Sequence, residues 1–196
     1  PLAAPASAQE PELGFFLASV GVGDGANLGG LEGADAHCLA LAEAVGAGHR
    51  TWRAYLSTQA VDGAEAVNAR DRIGAGPWHN AEGVLIAATV EELHSEAANI
   101  NKDTALTEAG AVVPGRGDTP NQHDILTGSQ LDGTAFEAGQ DRTCGNWTLN
   151  GEGSAFVGHH DLIGNPSGIN YWNHSHGSRG CSQENLQQTG GAGLFY

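Results

Sequence analysis

The densest chemistry in the chain lies in two short stretches, Gly158-His159-His160-Asp161 and Trp172-Asn173-His174-Ser175-His176. Imidazole nitrogens and carboxylate oxygens are the donors of zinc and copper sites, which makes His159, His160, Asp161, His174 and His176 candidate metal ligands. In an extended segment the adjacent His159 and His160 point to opposite faces, so one ion cannot easily take both, whereas His174 and His176 share a face. The alternative is that these imidazoles are hydrogen-bonded structural groups. A second reading of the same stretches is a ligand surface, with Trp172 as an apolar platform and His160, Asp161 and Asn173 as polar contacts.

Carboxylates elsewhere suggest a harder ion. Asp103, Glu108, Asp118 and Asp124 fall in the polar stretch 97–142, where they could gather calcium together with backbone carbonyls. No G-x-S-x-G elbow, H-E-x-x-H pair, phosphate-binding glycine loop or complete EF-hand pattern occurs, and the expectation is a binding protein with no catalytic residues. Arg116-Gly117-Asp118 is an integrin-type tripeptide of common residues and is read as accidental. Asn146-Trp147-Thr148 and Asn173-His174-Ser175 fit the glycosylation sequon.

The elements that must carry these residues can be sketched from periodicity. Phe15 to Val20 reads as a strand closed by a glycine-rich turn. Ala34, Cys38, Leu41, Ala42 and Val45 repeat on one helical face, and Gly46 supplies the stop. Thr51 to Leu56 alternates as a strand, with Trp52, Ala54 and Leu56 on one side. Val84 to Ala88 is a further apolar run, and Thr89 with Glu92 forms a capping box that starts a short helix through Ser95. The stretch 97–142 reads as loop with short strands. Cys144 to Thr148, Ala155 to His159 and Leu194 to Tyr196 are the remaining strand candidates, and no internal repeat is found.

Composition narrows the class of partner. With 196 residues, 40% of them apolar, one core is the expectation, and 30 glycines against 16% charged residues describe a turn-rich globular chain. The 23 acidic and eight basic residues give a net charge of -15, which repels nucleic acids, heparin-like glycans and anionic lipid at long range. No stretch approaches the roughly 18 consecutive apolar residues of a membrane helix, so no membrane insertion is expected. Ala6-Ser7-Ala8 is similar to the small-residue end of a secretory signal, which points to export, to the periplasm, the cell surface or beyond. Residues 1–12 are accordingly read as a spacer or signal remnant before a single domain over 13–196.

Three cysteines in an exported chain make one disulfide and a remainder, and spacing alone leaves the pairing open. A Cys144 to Cys181 bridge would close a loop of about 38 residues, worth roughly 3 to 4 kcal/mol on the chain-entropy model.

Gly29-Gly30-Leu31-Glu32-Gly33-Ala34-Asp35-Ala36-His37-Cys38, together with Thr51-Trp52-Arg53-Ala54-Tyr55-Leu56-Ser57, resembles the opening of endostatin, a branch of the C-type-lectin-like superfamily. Thr143-Cys144-Gly145-Asn146-Trp147-Thr148, Val157-Gly158-His159-His160-Asp161 and Arg179-Gly180-Cys181-Ser182 resemble bacterial secreted proteins described as lectins of that superfamily. The resemblance implies an α+β, C-type-lectin-like fold, with two helices flanking short antiparallel strands and a long loop region. It also implies nested disulfides, the inner one Cys144 to Cys181 and the outer one joining Cys38 to a cysteine just past Tyr196, the domain being cut within its last strand. The sugar-binding tripeptides E-P-N and Q-P-D do not occur, and the arginines behind endostatin's heparin binding are missing.

The function expected from the sequence is therefore a secreted module that recognises a carbohydrate or protein surface through its long loops, with calcium as the first candidate ion and zinc or copper after it. The alternatives are a structural subunit of an extracellular assembly, packed against neighbouring subunits, and a histidine-rich metal-binding protein.

Overall fold

A computed structural model of the chain describes residues 11–163 and 172–196. Apart from Pro11 and Glu12, the spacer expected over 1–12 lies outside the described residues. The fold is α+β, and among the described residues the main helix is α1, Gly30–Ala44. Short helical segments follow: α2 at Ala69–Arg72, α3 at Val90–Leu93, α4 at Cys144–Trp147 and α5 at Gln183–Thr189. A two-stranded ribbon pairs β1, Trp78–His79, with β2, Leu85–Ala87. The central sheet contains β3, Asp124–Leu126, β4, Phe156–His159, β5, His176–Gly177, and β6, Gly191–Phe195.

The strand order across that sheet is β5-β4-β3-β6. β4 runs antiparallel to both β3 and β5, while β3 and β6 are parallel, so the sheet is mixed and not purely antiparallel as expected. Alternation along the strands divides the apolar side chains between two clusters. Leu126, Val157 and Phe195 join the α1 stripe Ala34, Cys38 and Ala42 in one cluster. Ile125 and Leu194 join Tyr55, Trp78, Trp172 and Tyr196 in the other.

Several expected strands take other forms. Residues 15–20 make no ladder, because successive amides bond to different segments, Leu17 N to Leu106 O at 2.9 Å and Ala18 N to Phe195 O at 2.9 Å. Thr51 to Leu56 behaves likewise, with Tyr55 N donating to Tyr196 O at 2.8 Å, yet Trp52, Ala54 and Leu56 do share one cluster and Tyr55 faces the other. Cys144–Trp147 is a left-handed turn, with φ of 49°, 62°, 55° and 68° from Cys144 to Trp147. Such backbone costs about 1–2 kcal/mol for each residue bearing a Cβ. Offsetting contacts surround it: Asn146 clasps the Gln59 backbone through both its amide atoms at 2.9 and 3.1 Å, and the buried Trp147 indole donates to Ser57 O at 2.8 Å.

The Thr89 cap forms as expected, its hydroxyl accepting from Glu92 N at 3.2 Å. Helix α5 was not anticipated, although Ser182 caps it by accepting from Asn185 N and Gly190 ends it at φ 103°. Cys144 and Cys181 form the disulfide, which ties α4 to the segment before α5. Cys38 pairs with neither and lies buried on α1, where desolvation and then the Asp35 charge push its thiol up to about 12.

Gly158 fixes the approach of the Trp172-Asn173 backbone to β4, since a Cβ there would overlap the Trp172 carbonyl oxygen and press on Asn173 Cα. Backbone cannot retreat from this clash as a flexible side chain could. Gly158→Ala is therefore expected to lower stability by at least about 1–3 kcal/mol. Urea denaturation would read this as a lower midpoint at unchanged slope, and a loss under 0.5 kcal/mol, near the ordinary surface level of about that size, would contradict the crossing.

Candidate metal centre

One end of the sheet brings four donors together from three adjacent strands. Asp124 opens β3 with His123 immediately before it, His159 closes β4, and His176 opens β5. Register does the gathering, because Asp124 is the Cα partner of His159 and His176 is the partner of Val157, two residues from His159 on the same face.

Each of the three imidazoles has its Nδ1 set against an oxygen acceptor. His123 Nδ1 lies 3.3 Å from Asp161 Oδ1, His159 Nδ1 lies 3.0 Å from Ile163 O, and His176 Nδ1 lies 3.1 Å from Gly177 O. Carbonyl and carboxylate oxygens only accept, so this network assigns the hydrogen to Nδ1 and leaves Nε2 of a neutral ring as a lone pair. All three Nε2 atoms approach the same carboxylate oxygen. They lie 3.1 Å (His123), 3.2 Å (His159) and 3.6 Å (His176) from Asp124 Oδ1, and His159 Nε2 is 3.1 Å from His176 Nε2. The His123 and His159 rings stack with centroids 4.1 Å apart.

Neither carboxylate oxygen of Asp124 has a hydrogen-bond partner, although the group is buried. The imidazoles stand at ion-pair distance from Asp124 without a hydrogen bond to it, while His159 Nε2 and His176 Nε2 are hydrogen-bonded to each other at 3.1 Å. Donors at about 2.0–2.1 Å from a tetrahedral ion are roughly 3.3 Å from one another, close to the 3.1 and 3.2 Å at which His123 and His159 stand from Asp124 Oδ1, whereas His176 lies farther out at 3.6 Å. Among the described residues, His123, Asp124 and His159 form a compact buried group that could hold a metal ion.

Electrostatics agrees with a site that demands positive charge. Burial opposes ionisation of Asp124, but the facing imidazoles outweigh it and hold the carboxyl far below the usual range. Burial likewise opposes the His123 cation, yet Asp124 and Asp161 raise its pKa to about 9. Asp124 also raises that of His176. Asp161 is held well below the usual carboxylate range against its own desolvation by His123 and by the amides of Arg116 and Ile163, at 2.6 and 3.1 Å. Gly115 makes room for this seat, since a Cβ there would stand 2.6 Å from Asp161 Oδ2.

The residues singled out from the sequence divide between this centre and the interior. His159 and His176 belong to the cluster, and Asp161 stands behind it on His123. His160 turns away, with Nε2 3.4 Å from Pro114 O and Nδ1 buried without a partner, and burial lowers its pKa. His174 does not share the face of His176: its ring packs on Phe156 with centroids 4.5 Å apart and its Nδ1 lies 3.0 Å from Ser129 O.

Trp172 is 2% exposed and donates its indole hydrogen to Leu93 O at 3.0 Å. Asn173 is 1% exposed, with Nδ2 spread over Tyr55 Oη, Gln130 O and Leu131 O at 2.9–3.2 Å. Of the carboxylates considered for calcium, Asp124 alone reaches the centre. Glu108 is bonded to Ser19 and Asp118 to Lys102 and Gly115 N. His123 was missed altogether; its signal was the polar-to-apolar switch at His123-Asp124-Ile125-Leu126, where a buried strand begins.

A comparison with protein-family models returns no match, and neither does a comparison with curated proteins.

Asp161 orients His123 as outer carboxylates orient metal-ligating histidines, and removing such a partner costs about 10–100-fold in metal affinity. Asp161→Asn should therefore weaken metal retention by that factor in a competition with a chromophoric chelator, and an unchanged affinity would remove Asp161 from the centre.

Proposed function

We propose that this chain is an exported metal-binding domain of the C-type-lectin-like class, organised around one transition-metal ion held by His123, Asp124 and His159, with His176 as a fourth donor facing solvent. The observation that carries the reading is the convergence of three imidazole Nε2 atoms on a buried carboxylate that makes no hydrogen bond. Without a cation at their centre, or protons taken up by the imidazoles in its place, these groups leave a desolvated charge uncompensated.

Nitrogen-rich donors favour zinc, and copper after it, over calcium, which takes six to eight oxygens. Export is supported by the disulfide, a bond that persists in oxidising compartments. The α+β architecture and the Cys144 to Cys181 bridge support the lectin-like class. Recognition of a glycan through Trp172 and Asn173 receives no support from their positions, because neither side chain reaches the surface.

Protein isolated without chelators should carry or take up one zinc per chain by elemental analysis, and His159→Ala or Asp124→Ala should lose it. Wild-type protein that takes up neither zinc, cobalt nor copper at stoichiometric level would overturn the proposal.

A further inference from the structure

The four donors are not equivalent, and the differences all run the same way. Asp124, His123 and His159 have side chains 2%, 5% and 5% exposed, while that of His176 is 41% exposed. His123 is braced by Asp161, itself anchored by two backbone amides, and His159 by the carbonyl of Ile163. The Nδ1 of His176 bonds to the carbonyl of the very next residue, a contact that travels with the side chain. His176 also sits on β5, the two-residue edge strand of the sheet, and its Nε2 is the farthest of the three from Asp124 Oδ1.

Two imidazoles and one carboxylate, rigid and buried, make the donor set of metal centres that keep a position open, whereas closed structural sites hold four equally fixed ligands. A divalent ion on two neutral imidazoles and one carboxylate retains one positive charge, which favours an anion at the remaining position.

Resting on the metal-binding reading above, we infer that His176 is a displaceable donor and that the solvent-side position of the ion accepts a small external anion. The centre is then a ligand-accepting site in which the His123, Asp124 and His159 group holds the ion and His176 covers it between encounters. Displacement exchanges the metal's contact with His176 for one contact with the anion's donor atom and leaves the metal's oxidation state unchanged.

The test is a titration of cobalt-loaded protein with azide and, separately, acetate, followed through the visible cobalt bands. Both anions should shift the bands saturably. His176→Ala should keep one cobalt per chain and bind azide more tightly, by about tenfold where His176 occupies the position nine-tenths of the time. Cobalt bands that stay unmoved by both anions in wild type and variant would overturn this inference while leaving the metal-binding reading standing. Loss of cobalt from His176→Ala would also overturn it, by making His176 a ligand the ion cannot do without. Failure of the wild-type protein to bind cobalt would instead defeat the metal-binding reading, and this inference with it.

Discussion

A carboxylate held out of water without a hydrogen bond is among the most expensive arrangements a fold can contain, and Asp124 is such a group. The charge is tolerated only where positive charge is supplied beside it. Protons on the surrounding imidazoles and a metal ion at their centre are the two sources the geometry offers. The Nδ1 contacts are compatible with the ion, because a neutral ring whose hydrogen is committed to Asp161, Ile163 or Gly177 keeps its Nε2 lone pair for a metal.

The rest of the sheet can be understood as what keeps these donors in register. Antiparallel pairing of β3 with β4 sets Asp124 beside His159, and pairing of β4 with β5 brings His176 alongside. Beneath them Leu126 and Val157 lock the same face into the cluster containing α1. The backbone before His174 can cross β4 closely because residue 158 is glycine, and Asp161 can be seated under the 115–116 backbone because residue 115 is glycine. The disulfide adds a covalent tie between Cys144, ahead of β4, and Cys181, just beyond β5. Rigid strands so constrained are better supports for a metal site than loops would be.

Much of this was legible in the sequence. The α1 stripe, the Thr89 cap, the apolar runs of β2, β4 and β6 and the Cys144 to Cys181 bridge all followed from periodicity, capping chemistry or resemblance. What escaped was non-local. Asp124 was grouped with Asp103, Glu108 and Asp118 as an oxygen donor because sequence proximity cannot show that β3 lies between β4 and β6. His160 and His174 were selected by closeness to His159 and His176, and both are drawn off by packing, one toward Pro114 and the other onto Phe156. Trp172 looked like a platform since an aromatic beside polar residues reads the same whether it faces solvent or the core. Cys144 to Thr148 reads as a short strand between turn-forming residues, and the left-handed turn it forms depends on Gln59 and Ser57, far away in the chain.

The central claim is that a single ion sits where the donor atoms meet. Crystals grown with zinc and measured across its absorption edge test that position directly. One anomalous peak per chain is expected, about 2.0–2.2 Å from Asp124 Oδ1 and from the Nε2 atoms of His123 and His159. Absence of a peak there, with zinc bound elsewhere or nowhere, would contradict it.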